Sequence, residues 1–298
     1  MSRGNKAPIV GILSSSMRDN YGEFGVEEYY KKVGATYRNP HFPGIRSCLF
    51  SWFNRWWQME HLNISRQPDN QILLFDMACG SGEVTLSFAE WWKAGKRIHV
   101  ESSGSKETPI IDSQPALAPL RRKPQTVPVS LGPEFPPPRV AAADPFTSAA
   151  YKDRTSLECS SLSFKEIAEG YFPNIYSDIS KVPIQVDKIP ENSEGQGSQR
   201  AIEMVICSFA LHLVENPSEL FSLLWELSTY VRWLVVLAPH KKPEIKEGWG
   251  WSKWDVDTWQ ACQVPGSAGE LLRDRVHCRV YRSLNVQNEM ERLLDQTL

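Results

Sequence analysis

The stretch Ile72–Phe88 reads ILLFDMACGSGEVTLSF. Its opening residues form an apolar run interrupted by a single acid, Asp76. A short run of this kind, bounded by turn residues, fits a strand buried on both faces. Gly80-Ser81-Gly82 make a tight turn, and Glu83 opens a helical pattern that is predicted to reach about Lys93, with Gly95 as its cap. A strand-turn-helix corner exposes unpaired N–H groups and the positive end of a helix dipole. Small turn residues let a ligand approach that backbone closely. The turn lacks the G-x-G-x-x-G spacing of a dinucleotide fingerprint, and it lacks the Lys-Ser/Thr of a P-loop. A ligand without phosphates therefore suits it better.

Outward from this corner, strand and helix patterns alternate. Strands are predicted near 72, 140, 157, 204 and 233, with a late one near 276–284. Helices are predicted over about 23–32, 44–61 and 218–231, with a short one in KEIAEG and a frayed one in ERLLDQTL. Such alternation favours a parallel sheet covered on both faces, with ligands beyond the carboxyl ends of its strands. Residues 101–138 and 171–200 are rich in Ser, Pro, Gly and charge without a period, and read as two loop insertions. The segment HKKPEIKEGWGWSKW reads as a loop with aromatic weight.

Composition narrows the class. The chain has 298 residues, 41% of them hydrophobic, enough for a sizeable core. A formal net charge of −2 shows no global basic excess to announce a nucleic-acid partner. The six cysteines, at 48, 79, 159, 207, 262 and 278, have neither zinc-ligand spacing nor the look of a secreted disulfide framework, so no metal is expected. The N-terminus lacks a signal-peptide core, and no apolar run reaches the ~18 residues of a membrane span. A cytoplasmic protein that does not enter the membrane is expected, with mitochondrial or nuclear placement left open.

Asp76-Met77-Ala78-Cys79-Gly80-Ser81-Gly82 resembles the first motif of class I S-adenosylmethionine-dependent methyltransferases, an acid and a Gly-x-Gly turn after the first strand. Ala78 stands where many members have the first glycine. RVAAADPF resembles the second motif, SSLSF the third and VICSFALHL the fourth. The resemblance spans roughly 70–285. It implies a doubly wound, mostly parallel seven-stranded α/β sheet, with an N-terminal arm and helical lid over 1–68 and a Rossmann-like domain over 69–298. It implies S-adenosylmethionine as cofactor, held by Asp76, Ala78, Cys79, Gly80 and Gly82, by Asp144 and Pro145, by Ser161 and Leu162, and by Ser208 and Phe209. Asp144 would bind the ribose, where an ionised carboxylate can accept two hydroxyl hydrogen bonds. Glu101 is the rival acid, if RIHVE is a strand.

The acceptor is less legible. His212 and His41 are the candidate bases, each with a packing role as its alternative. Tyr30 and Tyr37 precede the first strand, where the family often folds a lid. Trp249 and Trp251 follow the fifth, where aromatic rings can stack on a flat substrate or cage a cation. A small-molecule acceptor fits the aromatic wall and the near-neutral charge. The alternatives are an RNA such as tRNA, met by Arg121, Arg122, Lys123 or by His240, Lys241, Lys242; a protein acceptor; or a non-catalytic partner role. The strand end CSFALHL lacks the Asn-Pro-Pro-Tyr type motif of several amino-group methylating enzymes.

Overall fold

The computed structural model describes residues 30, 33–65, 72–104, 126–173, 176–182, 202–263 and 269–286. The helices expected over 23–32 and in ERLLDQTL lie largely or wholly outside these residues, as do the basic run at 121–123 and most of both expected insertions.

Among the described residues nine strands form one mixed sheet. They are β1 (Ile72–Met77), β2 (Pro138–Ala143), β3 (Ser177–Asp178), β4 (Ile202–Ser208), β5 (Val231–Ala238), β6 (Trp251–Asp255), β7 (Gln260–Ala261), β8 (Leu271–Arg273) and β9 (Val276–Ser283). Their order is β3-β2-β1-β4-β5-β9-β6-β7, and β8 pairs with β9. Only β2-β1-β4-β5 is parallel. The pairings of β3, β6, β7, β8 and β9 are antiparallel.

This corrects the expectation of a doubly wound, mostly parallel seven-stranded sheet. The reason is connection length. Parallel neighbours need a crossover of a dozen residues or more, whereas a tight turn forces the chain straight back. Asp274 and Arg275 join β8 to β9, with φ of 45° and 65°. Two consecutive positive φ values suit a two-residue hairpin. Residues 256–259 turn β6 into β7 just as abruptly.

Helices pack both faces. In α1 (Phe42–Ser65), Ile45, Leu49, Trp52, Phe53 and Trp56 recur at helical spacing and are fully buried. In α2 (Glu83–Gly104), Val84, Phe88 and Trp91 do the same. Both helices join Leu74, Ile206, Trp233 and Val235 in one core. Asn54 locks this layer: it accepts from Trp91 Nε1 at 2.7 Å and donates to Val127 O at 2.7 Å. A short α3 (Ser148–Thr155) adds Tyr151 to the same side. The opposite face is covered by α4 (Phe164–Ala168) and α5 (Pro217–Tyr230), whose Leu220, Leu223, Leu224 and Leu227 meet Phe75, Val205 and Val236. Asn216 caps α5 by accepting from Ser218 N, and Pro217 occupies its opening position.

Two boundaries move. α2 runs through Gly95 to Gly104, so RIHVE is helical and Glu101 is an exposed helix residue. Gly95 is not a cap: a Cβ there would lie 2.6 Å from Leu131 Cδ1. Leu131 and Phe135 are buried, so the end of the expected first insertion is packed structure.

Candidate functional site

Three parallel strands end at one place. After β1 the backbone turns through Ala78 (φ 54°), Gly80 (φ 56°) and Gly82 (φ 85°). The Cys79 N–H donates to Ala143 O at 3.1 Å, tying this turn to the end of β2. A Cβ on Gly80 would sit 3.0 Å from Tyr37 Cε1, a tight approach at a φ that L side chains rarely adopt. β2 delivers Asp144. Its Oδ1 accepts from the N–H groups of Phe146 (2.8 Å) and Thr147 (2.9 Å), and its Oδ2 from Gly80 N–H (3.2 Å). β4 delivers Ser208 and Phe209. Phe209 holds φ 58°, and its N–H donates to Leu237 O at 2.8 Å. Left-handed backbone costs a non-glycine residue about 1–2 kcal/mol, so Ala78 and Phe209 both carry local strain.

These ends enclose a cleft of about 500 Å³. Tyr30, Tyr37 and Asn39 line it from the segment before α1, while Leu162, Phe164 and Ile167 line it near α4. Glu83 fastens that preceding segment to the turn. Its Oε1 accepts from Asn39 N (3.2 Å), Ser81 Oγ (2.6 Å) and Arg154 Nη1 (2.8 Å). The His41 ring stacks on Phe209, with centroids 4.9 Å apart.

Glu83, Asp144 and Lys165 are the charged residues among the cleft's described lining, and Glu83 is paired with Arg154 at 2.8 Å. Burial raises the Asp144 carboxyl, against the pull of the Phe146, Gly80 and Thr147 N–H groups. Behind the lining lies Asp76, fully buried. Burial pushes its pKa up to about 8, although Thr85 N and Oγ1 donate to its Oδ2. Asp76 Oδ1 and Ser208 Oγ are buried and have no hydrogen-bond partner among the described residues.

The structure brings Ala78, Cys79, Gly80, Asp144, Pro145, Leu162, Ser208, Phe209, Tyr30 and Tyr37 to this cleft. It does not bring the other expected residues there. Asp76 is sealed beneath the lining. Gly82 faces α3, where a Cβ would lie 2.5 Å from Thr155 Cγ2. Ser161 is exposed and outside the lining. Trp251 is buried in β6 and donates to Leu224 O at 2.7 Å, and Trp249 packs edge-on against Phe221. Neither forms a substrate wall here.

Neither expected base lines the cleft. His41 is spent on the Phe209 stack, and burial with the charge of Arg275 lowers its pKa. His212 lines a neighbouring groove that shares Phe164, Lys165, Leu213 and Val214 with the cleft. Burial and the charges of His240 and Arg279 lower its pKa as well. Asp144 also has less capacity than expected. Three of its roughly four acceptor positions are taken by backbone N–H groups, leaving room for one hydroxyl rather than two. In the other basic run, Lys241 and Lys242 carbonyls accept from Arg279, so that segment anchors β9.

Sequence reasoning gave no site role to Glu83, Phe146 or Phe164, and placed Asn39 only in the cluster before the first strand that could form a lid. Glu83 follows Gly82 directly, and an acid in the opening turn of a helix was the available signal. Phe146 and Phe164 end the stretches RVAAADPF and SSLSF, which resemble the second and third motifs. Among the described residues no group of three His, Cys, Asp or Glu side chains could hold a metal ion, and no helix is long and apolar enough to cross a membrane.

No protein-family model matches the chain. A whole-length relative does: an uncharacterized protein of Schizosaccharomyces pombe is 38% identical over 272 residues, which cover 91% of this chain and 93% of the relative. The chain belongs to the same family as this fission-yeast protein.

Proposed function

We propose that this protein binds S-adenosylmethionine in the cleft and transfers its methyl group to a small-molecule acceptor. The observation that carries the reading is a largely apolar cleft of small-molecule size, closed around a glycine turn, with the Asp144 carboxylate at its edge. The volume of about 500 Å³ falls in the range of small-molecule sites. Its walls are largely apolar, and Asp144 lines it while Glu83 is held by Arg154. An ionised Asp144 would disfavour a pyrophosphate beside it and favour a ligand carrying sulfonium and ammonium charges.

The residues present fit such a ligand. Gly80 keeps the turn free of a side chain where Tyr37 closes over it. The remaining acceptor position of Asp144 Oδ2 suits one ribose hydroxyl. Ser208 lies in the wall, with its buried hydroxyl unpaired among the described residues. Leu162 and Phe146 offer apolar surface for a base. When bound, the cofactor supplies an electrophilic methyl group. The protein's part is then to align the acceptor and exclude water. Because neither histidine lines the cleft, the reading favours an acceptor that presents a free lone pair without needing a base.

Isothermal titration of the folded protein with S-adenosylhomocysteine tests this. Binding is expected, weakened about tenfold or more in Asp144→Asn, since hydrogen bonds to a charged group contribute about 1.5–3 kcal/mol. Absence of binding by protein with intact circular dichroism would overturn the reading.

A further inference from the structure

Cys79 and Cys159 meet at the cleft with their sulfurs 3.4 Å apart. Cys79 lines the cleft from the β1 turn. Cys159 lies in the loop after α3, beside Ser160, which bridges to Ala143 at the end of β2. Both are free thiols, and Cys159 is partly exposed while Cys79 is buried. A second thiol pair gives an internal comparison. Cys48 of α1 and Cys278 of β9 also interact, but both are wholly buried. Of the two pairs, Cys79–Cys159 is the one that includes a partly exposed thiol.

We propose that Cys79 and Cys159 are a reversible disulfide modification site that reshapes the cleft floor under peroxide. Cys159, the more exposed thiol, attacks one oxygen of hydrogen peroxide, becoming a sulfenic acid and releasing water. Cys79 then attacks that sulfur. The S–S bond forms, the S–O bond breaks, and the hydroxyl leaves as water with the Cys79 proton. Two thiols are oxidised to one disulfide and one peroxide is reduced to two waters. A thiol reductant reverses the reaction by exchange.

Bond formation must draw the sulfurs together to about 2.05 Å. Cys79 cannot follow without disturbing its neighbours. Its N–H bonds Ala143 O, its carbonyl accepts from Gly82 N–H, and the next N–H, that of Gly80, is held by Asp144. The turn and the carboxylate therefore shift together. Burial holds the Cys79 thiol well above its ordinary range, which makes it the resolving thiol and leaves Cys159 to react with the oxidant.

The expected loss of ligand affinity rests on the cofactor reading above; the disulfide does not. The experiment treats the full-length protein with hydrogen peroxide, blocks the remaining thiols in denaturant, and maps the disulfide by peptide mass. Titration with S-adenosylhomocysteine runs in parallel. A Cys79–Cys159 bond is expected, with affinity reduced at least tenfold and restored by dithiothreitol. Cys159→Ser should bind in the reduced state and lose the peroxide response, while Cys262→Ser should keep it. A map without the Cys79–Cys159 bond, or with Cys48–Cys278 in its place, overturns the proposal. So does a Cys79–Cys159 bond that leaves affinity unchanged. If the reduced protein binds no S-adenosylhomocysteine, the cofactor reading fails, and the peptide map still decides the modification.

Discussion

In the parallel strands β2-β1-β4-β5, Ala78 and Phe209 hold positive φ where no hairpin requires it. In the antiparallel strands, Trp259, Asp274 and Arg275 hold positive φ because tight turns do require it. Polar groups do not divide in the same way. The antiparallel half pairs Lys253 with Glu270 at 3.5 Å and lets Arg279 donate to three carbonyls, yet Trp254 Nε1, Arg273 Nε and Arg279 Nε are buried there without a hydrogen-bond partner among the described residues. The parallel ends leave Asp76 Oδ1 and Ser208 Oγ unpaired among the described residues. Backbone strain that no turn requires, on one side, against required turns on the other, is what distinguishes a site from a scaffold. Aromatic residues mislead on this point. Trp52, Trp233, Trp254 and Trp259, from α1, β5, β6 and the turn after β6, form a packed cluster that does not line the cleft.

Breaking the cleft corner should have the largest effect. Gly82→Ala places a Cβ against Thr155 at a φ of 85°. Strain and overpacking together are expected to destabilise by about 4 kcal/mol, read by chemical denaturation. A loss under 1 kcal/mol would show that α3 can retreat and that the corner is not rigid.

The scaffold half should respond through packing alone. Trp259→Ala removes the stack on Trp52 and the Nε1 hydrogen bond to Glu60. It should lower stability by about 3 kcal/mol while leaving ligand affinity within twofold. Phe209→Ala is the counterpart: it should weaken ligand binding more than it weakens the fold. Equal effects on binding in the two variants would erase the distinction between the halves.

Asp76 sharpens the comparison through pH. Its folded pKa of about 8 lies above the ordinary carboxylate value of 3.8. The folded state thus binds the proton more tightly, and stability falls as pH rises from about 4 to about 8. The slope from this one group is at most about 1.4 kcal/mol per pH unit. Asp76→Asn should flatten the profile across that window, measured by urea denaturation at a series of pH values. An unchanged slope would mean that Asp76 does not titrate in the folded protein.

The smallest effect is expected at Ala78. Ala78→Gly relieves left-handed strain but adds freedom to the unfolded chain, so stability should rise by no more than about 1 kcal/mol, read from thermal melts.

What could be read from the sequence was local. The β1 corner follows from a run buried on both faces and two glycines in a turn, all within eleven residues. β4, β5, β9 and α5 form close to their apolar patterns for the same reason. Gly95 was misread because its partner, Leu131, is 36 positions away and only packing brings them together. Trp249 and Trp251 were misread because an indole buried under a helix and one facing a ligand have the same local sequence.

The sequence by itself determined the corner, the absence of a phosphate-binding pattern and the acid at the end of β2. Backbone geometry and side-chain charge are properties of short stretches, so short stretches suffice to reveal them. Tertiary structure alone decided the antiparallel half, the engagement of Asp144 by three N–H groups, the seat of Glu83 under Asn39 and Arg154, and the meeting of Cys79 with Cys159. Each of these depends on which distant segments share a sheet edge, and that is settled by the burial of whole faces rather than by any one motif.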